Sequence, residues 1–350
     1  MVDFAGWTMP VQYSSIIQEH ELTRNAVGLF DVSHMARFYF AGNDVESFLD
    51  RVATRRIAGV ETGKIRYSLI CNEAGKILDD VLIYHLNDAT GQPYWMMVAN
   101  ASNRAKIFGW LQQHIGEADV QILDRTAETA MIAVQGPKAN AMVASLSSLD
   151  PDSLNYYCGA SGQVEGAEAV ISRTGYTGED GCEIICKDSD AAQLWQRLFE
   201  AADPLGGGAC GLASRDTLRL EAGMPLYGHE LSEEINACQA DLRFAIQMKN
   251  RDFVGKAAVL AGRKDVELPV RVGLQLEGRR AAREGCDILK DGNRIGFVTS
   301  GTFSPTLQKS ISMGYVNRSC TDVGTEVIVD IRGKSHPAVV VDVPFYQRSK

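Results

Sequence analysis

Alternation of apolar and polar positions is clearest between Tyr67 and Tyr84, which read YSLICNEAGKILDDVLIY. Two apolar runs with period-two character flank the turn-forming residues Asn72-Glu73-Ala74-Gly75, so the stretch predicts a hairpin. A four-residue loop pairs Cys71 with Lys76 and sets Tyr67 directly across from Asp80. Val81, Leu82, Ile83 and Tyr84 follow Asp79-Asp80 at once, which places both acids inside the second strand and on opposite faces. Aspartate is depleted from strands, and burying even an uncharged polar group without a partner costs roughly 2–7 kcal/mol. An acid kept in such a strand marks a candidate site, although a solvent-facing aspartate is the plainer reading. The face carrying Tyr67, Asp80, Leu82 and Tyr84 then forms an aromatic slot with one carboxylate, suited to a flat heterocycle bearing N–H groups.

The same pattern reading extends along the chain. Phe4 to Tyr13, punctuated by Gly and Pro, predicts an ordered loop. Ser14-Ser15 caps a helix to about Asn25, with Ile16, Ile17, His20 and Leu22 on one side. A strand over 36–41 precedes an amphipathic helix from Asn43-Asp44, with Val45, Phe48, Leu49 and Val52 at helical spacing. Further strands are predicted over 93–100, 120–123 and 131–134, and helices over 102–114 and 212–222. The segment RTGYTGEDGCEIIC forms a tight turn between strands. Beyond Asp265-Pro269 the pattern changes to about five or six short strands, the signature of a small barrel or jelly roll. The fold class is therefore α+β with a C-terminal β-barrel.

Composition narrows the function. A chain of 350 residues, 45% hydrophobic and 23% charged, is that of an ordinary globular protein of two or three domains. A net charge of -9 argues against nucleic-acid or anionic-membrane partners. No run approaches the ~18 apolar residues of a membrane span, and the N-terminus lacks the basic and apolar regions of a signal peptide. Eight cysteines without C-x-x-C spacing predict buried thiols in a reducing compartment, and six scattered histidines make no metal motif. The expected localisation is cytoplasmic, or the mitochondrial matrix if a leader has been removed.

Two more positions stand out. Glu183 lies within an apolar strand after the Gly-rich turn, where it either points to solvent or accepts N–H groups from a ring edge. Arg215 and Arg219 stand at i,i+4 on one helix face beside Asp216 and Glu221. That set is either an internal ion-pair network or a seat for a ligand carboxylate. The glycines 175, 178 and 181 match neither phosphate-binding spacing, and no nucleophile elbow is present. From the residues alone the chain is an enzyme or binder for a flat, polar, anionic small molecule.

Several stretches, in this order, resemble the aminomethyltransferase (T-protein) family of the glycine cleavage system: MVDFAGWTMPVQY, GLFDVSHM, YSLICNEAGKILDD, QGP at 135–137, RTGYTGEDGCEI, GLASRDTLRLEAGMPLYGHEL, FVGKAAVL, VTSGTFSPTL and MGYV. The resemblance spans the whole chain. It implies a three-domain cloverleaf around a central folate channel, with two interleaved α+β folate-binding domains in 1–265 (boundaries near 50 and 135) and a barrel domain in 266–350. It implies transfer of an aminomethyl group from the lipoylated H-protein to tetrahydrofolate, a co-substrate, giving 5,10-methylenetetrahydrofolate, ammonia and the reduced lipoyl carrier. Asp80 is then the key acid near the reacting folate nitrogens. Tyr67 and Tyr84 are pocket aromatics, Glu183 accepts from the pterin edge, and Arg215 and Arg283 contact folate. Phe244, in DLRFAIQ, occupies a place where the family usually has Trp and keeps a stacking surface. Arg219 is expected to be structural. The chain begins inside the segment that relatives precede with a short extension used in meeting the carrier protein. Competing readings are a folate-dependent demethylase or one-carbon transferase acting on a free molecule, and a non-catalytic folate binder. The K-G-C-Y-x-G-Q-E motif of the latter is absent.

Overall fold

The computed structural model describes residues 1–348. The predicted hairpin forms, and its second strand Ile77–Asn87 carries both acids. It belongs to a five-stranded sheet in the order Lys64–Cys71, Ile77–Asn87, Pro93–Ala99, Ala36–Ala41, Gln121–Asp124. Helices Val45–Val52 and Arg104–Gln113 cover one face, where Phe38, Phe48, Leu49, Ile83, Met97 and Leu111 make a core. A six-stranded sheet runs Gly159–Val164, Ala167–Ser172, Gly181–Lys187, Thr129–Gln135, Gly28–Asp31, Gly208–Ala209. Its outer face packs on helices Ala139–Leu146 and Asp188–Ala202 through Ile132, Val134, Ile184, Leu194 and Leu198. The two sheets then meet through their remaining apolar faces, with Phe30, Ile65, Tyr84, Met96, Met131 and Ile185 in the seam. The sequence interleaves them, because Gly28–Asp31 joins the six-stranded sheet before the five-stranded one begins.

The C-terminal strands close into a six-stranded barrel spanning Val270–Leu276 to Lys334–Val341 with its own core of Leu274, Val298, Val316 and Val340. It is a closed barrel and not a jelly roll. Helix Leu212–Glu221 lies between the barrel and the sheets.

Three expectations change. The hairpin register is Tyr67↔Leu82 and Leu69↔Asp80, with a bulge between Ile70 and Cys71, so Tyr67 is diagonal to Asp80 and not opposite it. The loop is one residue longer than expected, since Cys71 pairs with Ile77, and the bulge adds one more, so the register moves by two residues in total and Tyr67 and Asp80 stay on one face. The N-terminal segment forms a short hairpin, Val2–Phe4 with Trp7–Met9, turned by Ala5-Gly6 at positive φ. Helix Ile16–Asn25 is capped by the Ser15 hydroxyl as expected, but it buries Glu19, His20 and Thr23 while Ile17 is 58% exposed. The polar face wins because each group is partnered. The Glu19 carboxylate accepts from the amides of Tyr13, Ser14 and Gly211, and His20 bonds Thr217 and Thr306.

Candidate functional site

Where the two sheets and the barrel meet, a cavity of about 690 Å³ opens, within the range typical of small-molecule sites. Its walls come from the acid hairpin (Tyr67, Asp80, Leu82), the Gly-rich turn and next strand (Thr174, Tyr176, Glu183), the helix Leu212–Glu221 (Arg215, Arg219) and the barrel (Arg283, Thr299, Ser300). Asp80, Tyr67, Glu183, Arg215, Arg283 and Phe244 all line it. Tyr84 does not. The six-stranded sheet packs over that part of the strand, so the slot ends at Leu82 and Tyr84 is fully buried in the seam. The Tyr84 hydroxyl sits beside Ser172 and Thr174, which bond each other at 2.9 Å.

Asp80 is held by two donors. The Tyr67 hydroxyl donates to Oδ2 at 3.0 Å, and Asn100 Nδ2 donates to Oδ1 at 2.9 Å. Burial pushes Asp80 above the usual carboxylate range, and those two hydrogen bonds limit the rise. Burial and the neighbouring Asp80 keep the Tyr67 phenol neutral, so it remains a donor. Asp79 faces the opposite way and is fully buried, yet the same Asn100 binds it: the amide N–H reaches Oδ2 at 3.0 Å and Nδ2 reaches Oδ1 at 2.8 Å. Asn103 adds a third donor at 2.7 Å. Burial first and Asp80 second push Asp79 upward as well, and the two acids titrate as a pair. Only Asp80 touches the cavity. If its anion is the working form, activity rises with pH along a limb displaced above the ordinary carboxylate value of about 4. A kcat–pH profile reads this directly, and a limb centred at or below 4 would remove Asp80 from that role.

Glu183, on strand Gly181–Lys187, is 4% exposed. Thr174 donates its hydroxyl to Oε2 at 2.5 Å. Burial raises the Glu183 carboxyl, while Thr174 and then Arg215 restrain it. Arg215 projects over the Tyr176 ring at 4.8 Å and leaves Nη1 buried with no hydrogen-bond partner. An unsatisfied guanidinium N–H facing a cavity is a donor held in reserve for a ligand acceptor. His34, on the Phe4 side, is driven down to about 4 by burial and then by Arg215, so it is neutral, and its Nδ1 is also unpartnered. Arg219 behaves as the structural member of the pair: it bonds Asp216, Glu230 and the Ser300 hydroxyl. Arg283 stands exposed at the barrel rim, where its guanidinium donates to the Gly301 carbonyl at 3.3 Å. Phe244, 55% exposed, covers the outer edge of Tyr67 with ring centroids 5.5 Å apart.

Comparison with known proteins places this arrangement. The GCVT N-terminal domain matches residues 1–250, and the glycine cleavage T-protein C-terminal barrel domain matches residues 270–347. The chain belongs to the glycine cleavage T-protein family. Among its relatives are the aminomethyltransferases of Geobacillus kaustophilus, 44% identical over 100% of this chain and 95% of the relative, and of Bacillus subtilis, 41% identical over 99% and 95%. The crystal structure of glycine cleavage system aminomethyltransferase T from Bartonella henselae superposes with a TM-score of 0.91 at 34% identity, covering 99% of this chain and 94% of that one. The fold of the T-protein family thus accounts for the barrel, the interleaved sheets and the cavity between them.

Sequence reasoning missed Asn100, Tyr157, Tyr176 and His34, which also line or support the cavity. Asn100 carried a weak signal: it ends a strand that pairs with the acid strand (Leu82↔Val98), and that pairing brings it beside Asp80. Tyr157 and Tyr176 sit in irregular segments where periodicity is silent.

Proposed function

We propose that this chain is the tetrahydrofolate-dependent aminomethyltransferase of a glycine cleavage system, receiving the aminomethyl group from a lipoylated carrier protein and releasing ammonia. The observation that carries the proposal is Asp80: a partly buried carboxylate with two fixed donors, facing a T-protein-family cavity that also offers Glu183 and the unpartnered Arg215. These groups fit a folate. Glu183 is placed to accept ring N–H groups, Arg215 to donate to a ring or amide oxygen, and Tyr67 and Phe244 to cover a flat surface. Tetrahydrofolate, when bound, supplies the nitrogen nucleophiles for the one-carbon unit.

In this reading the chain's own part is electrostatic and positional. Asp80, held by Tyr67 and Asn100, would oppose the positive charge that develops on the one-carbon unit and could take up a proton leaving the attacking nitrogen. Burial strengthens both effects by excluding water. We infer that residues 1–265 act as two interleaved domains and 266–350 as a third, because the cavity needs walls from all three. The deciding assay follows ammonia release from aminomethyl-loaded lipoyl carrier with and without tetrahydrofolate. The expected outcome is release that depends strongly on tetrahydrofolate. Turnover of a free methylated amine without carrier would instead support the demethylase reading.

A further inference from the structure

The strand that presents Asp80 to the cavity carries a second acid that the transfer chemistry does not touch. Parity turns Asp79 away, to the face of Val81 and Ile83 under the helices Val45–Val52 and Arg104–Gln113, where it is fully buried. A carboxylate in such a place is costly, and no cation offsets it. Among the described residues Asp79 makes no ion pair, and Lys106 on the neighbouring helix is taken by Tyr227 at 2.7 Å and Glu233 at 2.9 Å. Asp79 instead takes three neutral N–H donors.

Two of the three come from one residue. Oδ2 accepts from the Asn100 amide at 3.0 Å and Oδ1 from Asn100 Nδ2 at 2.8 Å, so Asp79 grips Asn100 by main chain and side chain together. Asn103 Nδ2 completes Oδ1 at 2.7 Å. Asn100 stands just past the strand Pro93–Ala99, half-buried on the cavity wall, where a side chain keeps its rotamer freedom unless something holds it. With one Nδ2 hydrogen given to Asp79, the other goes to Asp80 Oδ1 at 2.9 Å. The Tyr67 hydroxyl holds the second Asp80 oxygen at 3.0 Å, and the two donors together set the plane of that carboxylate. Position 79 needs two acceptor oxygens for this grip. In Asp79→Asn one of them becomes an NH2 group, which meets either the Asn100 main-chain N–H or the side-chain amides of Asn100 and Asn103, donor against donor.

We propose that Asp79 is a positioning residue for aminomethyl transfer, which acts on the reacting atoms only through Asn100 and so holds the Asp80 carboxylate in one orientation toward the cavity. This rests on reading Asp80 as the working acid, and it places the control of that acid's aim on the sealed side of the sheet. A misaimed carboxylate loses its interaction with developing charge while the ligand keeps its other contacts, so the loss falls on kcat.

The test compares the full chain with Asp79→Asn, Asn100→Ala and the two combined. It measures single-turnover transfer from loaded carrier, KM for the carrier, and tetrahydrofolate affinity by equilibrium titration. The expected result is about a tenfold slower transfer in each single variant, with both binding terms within about twofold of the unaltered protein. The combined variant should be no more than about twofold slower than the slower single one, because both changes cut the same link. Independent contributions multiply to about 100-fold, and that outcome overturns the proposal. So does Asp79→Asn at the normal rate, or with tetrahydrofolate affinity falling as far as its rate, which would make the residue a support of the fold alone. Should Asp79→Asn fail to fold, Asn100→Ala decides, since it leaves Asp79 in place. A normal rate there shows that the link carries nothing and overturns the proposal, while a tenfold loss with binding intact upholds it. Normal turnover by Asp80→Asn would sink the reading of Asp80 itself, a distinct result.

Discussion

Asp80→Asn is expected to slow aminomethyl transfer by roughly 100-fold or more while tetrahydrofolate binds within about twofold of the unaltered protein. The substitution keeps the volume and one acceptor oxygen, so the Tyr67 and Asn100 contacts can be largely retained. What it removes is the charge, in a site where burial excludes screening water. An interaction made mainly with developing charge lowers kcat and kcat/KM together and leaves ground-state affinity nearly intact. Single-turnover rates with loaded carrier, paired with equilibrium titration of tetrahydrofolate, separate the two. Turnover within a few-fold of normal would end the assignment of Asp80.

Arg219→Met is expected to cost about 3–5 kcal/mol of folding stability, far more than a typical surface change. Arg219 and Glu230 are 1% and 0% exposed, and their 2.8 Å contact ties the helix Leu212–Glu221 to the segment before the barrel. Arg219 also reaches Ser300 on a barrel strand, and Thr299 beside it donates to Glu230. Methionine fills similar space but leaves the Glu230 carboxylate buried with neutral donors only. Urea unfolding with a two-state check gives the loss, and Arg219→Met combined with Glu230→Gln should recover much of it. A single variant that loses under ~1 kcal/mol would mean that the pair barely offsets its own desolvation.

The contrast between Arg215 and Arg219 shows how far the sequence could be read. Both sit on one face of one helix, and i,i+4 spacing gives them equal standing. Only the tertiary partners separate them, since Glu230 is eleven residues away and Ser300 is on another body. The acid hairpin was legible because its alternation is strong and its turn is marked, and a two-residue register change leaves the faces unaltered. Tyr84 was misplaced for the complementary reason. Strand parity tells which face a side chain takes, but not where a second sheet comes down on that face. The helix Ile16–Asn25 inverted its expected face because buried Glu19 and His20 find partners on distant segments, and hydropathy has no term for that. The barrel was legible from short strands and charged turns, while its contact with the cavity was not.

The seam around the cavity is riveted in more than one place. Besides Arg219 and Glu230, the buried Glu221 takes Arg24, His20 and the Ser304 hydroxyl, which links the first helix, the central helix and the barrel. Bodies joined by such deeply enclosed charges do not swing apart cheaply, since each opening would strand ions in a dry interface. Traffic through the chamber is therefore a matter of doorways and not of hinged walls. The doorways are lined by surface side chains, Phe4 at 38% and Phe244 at 55% exposure, which can change rotamer without moving the frame.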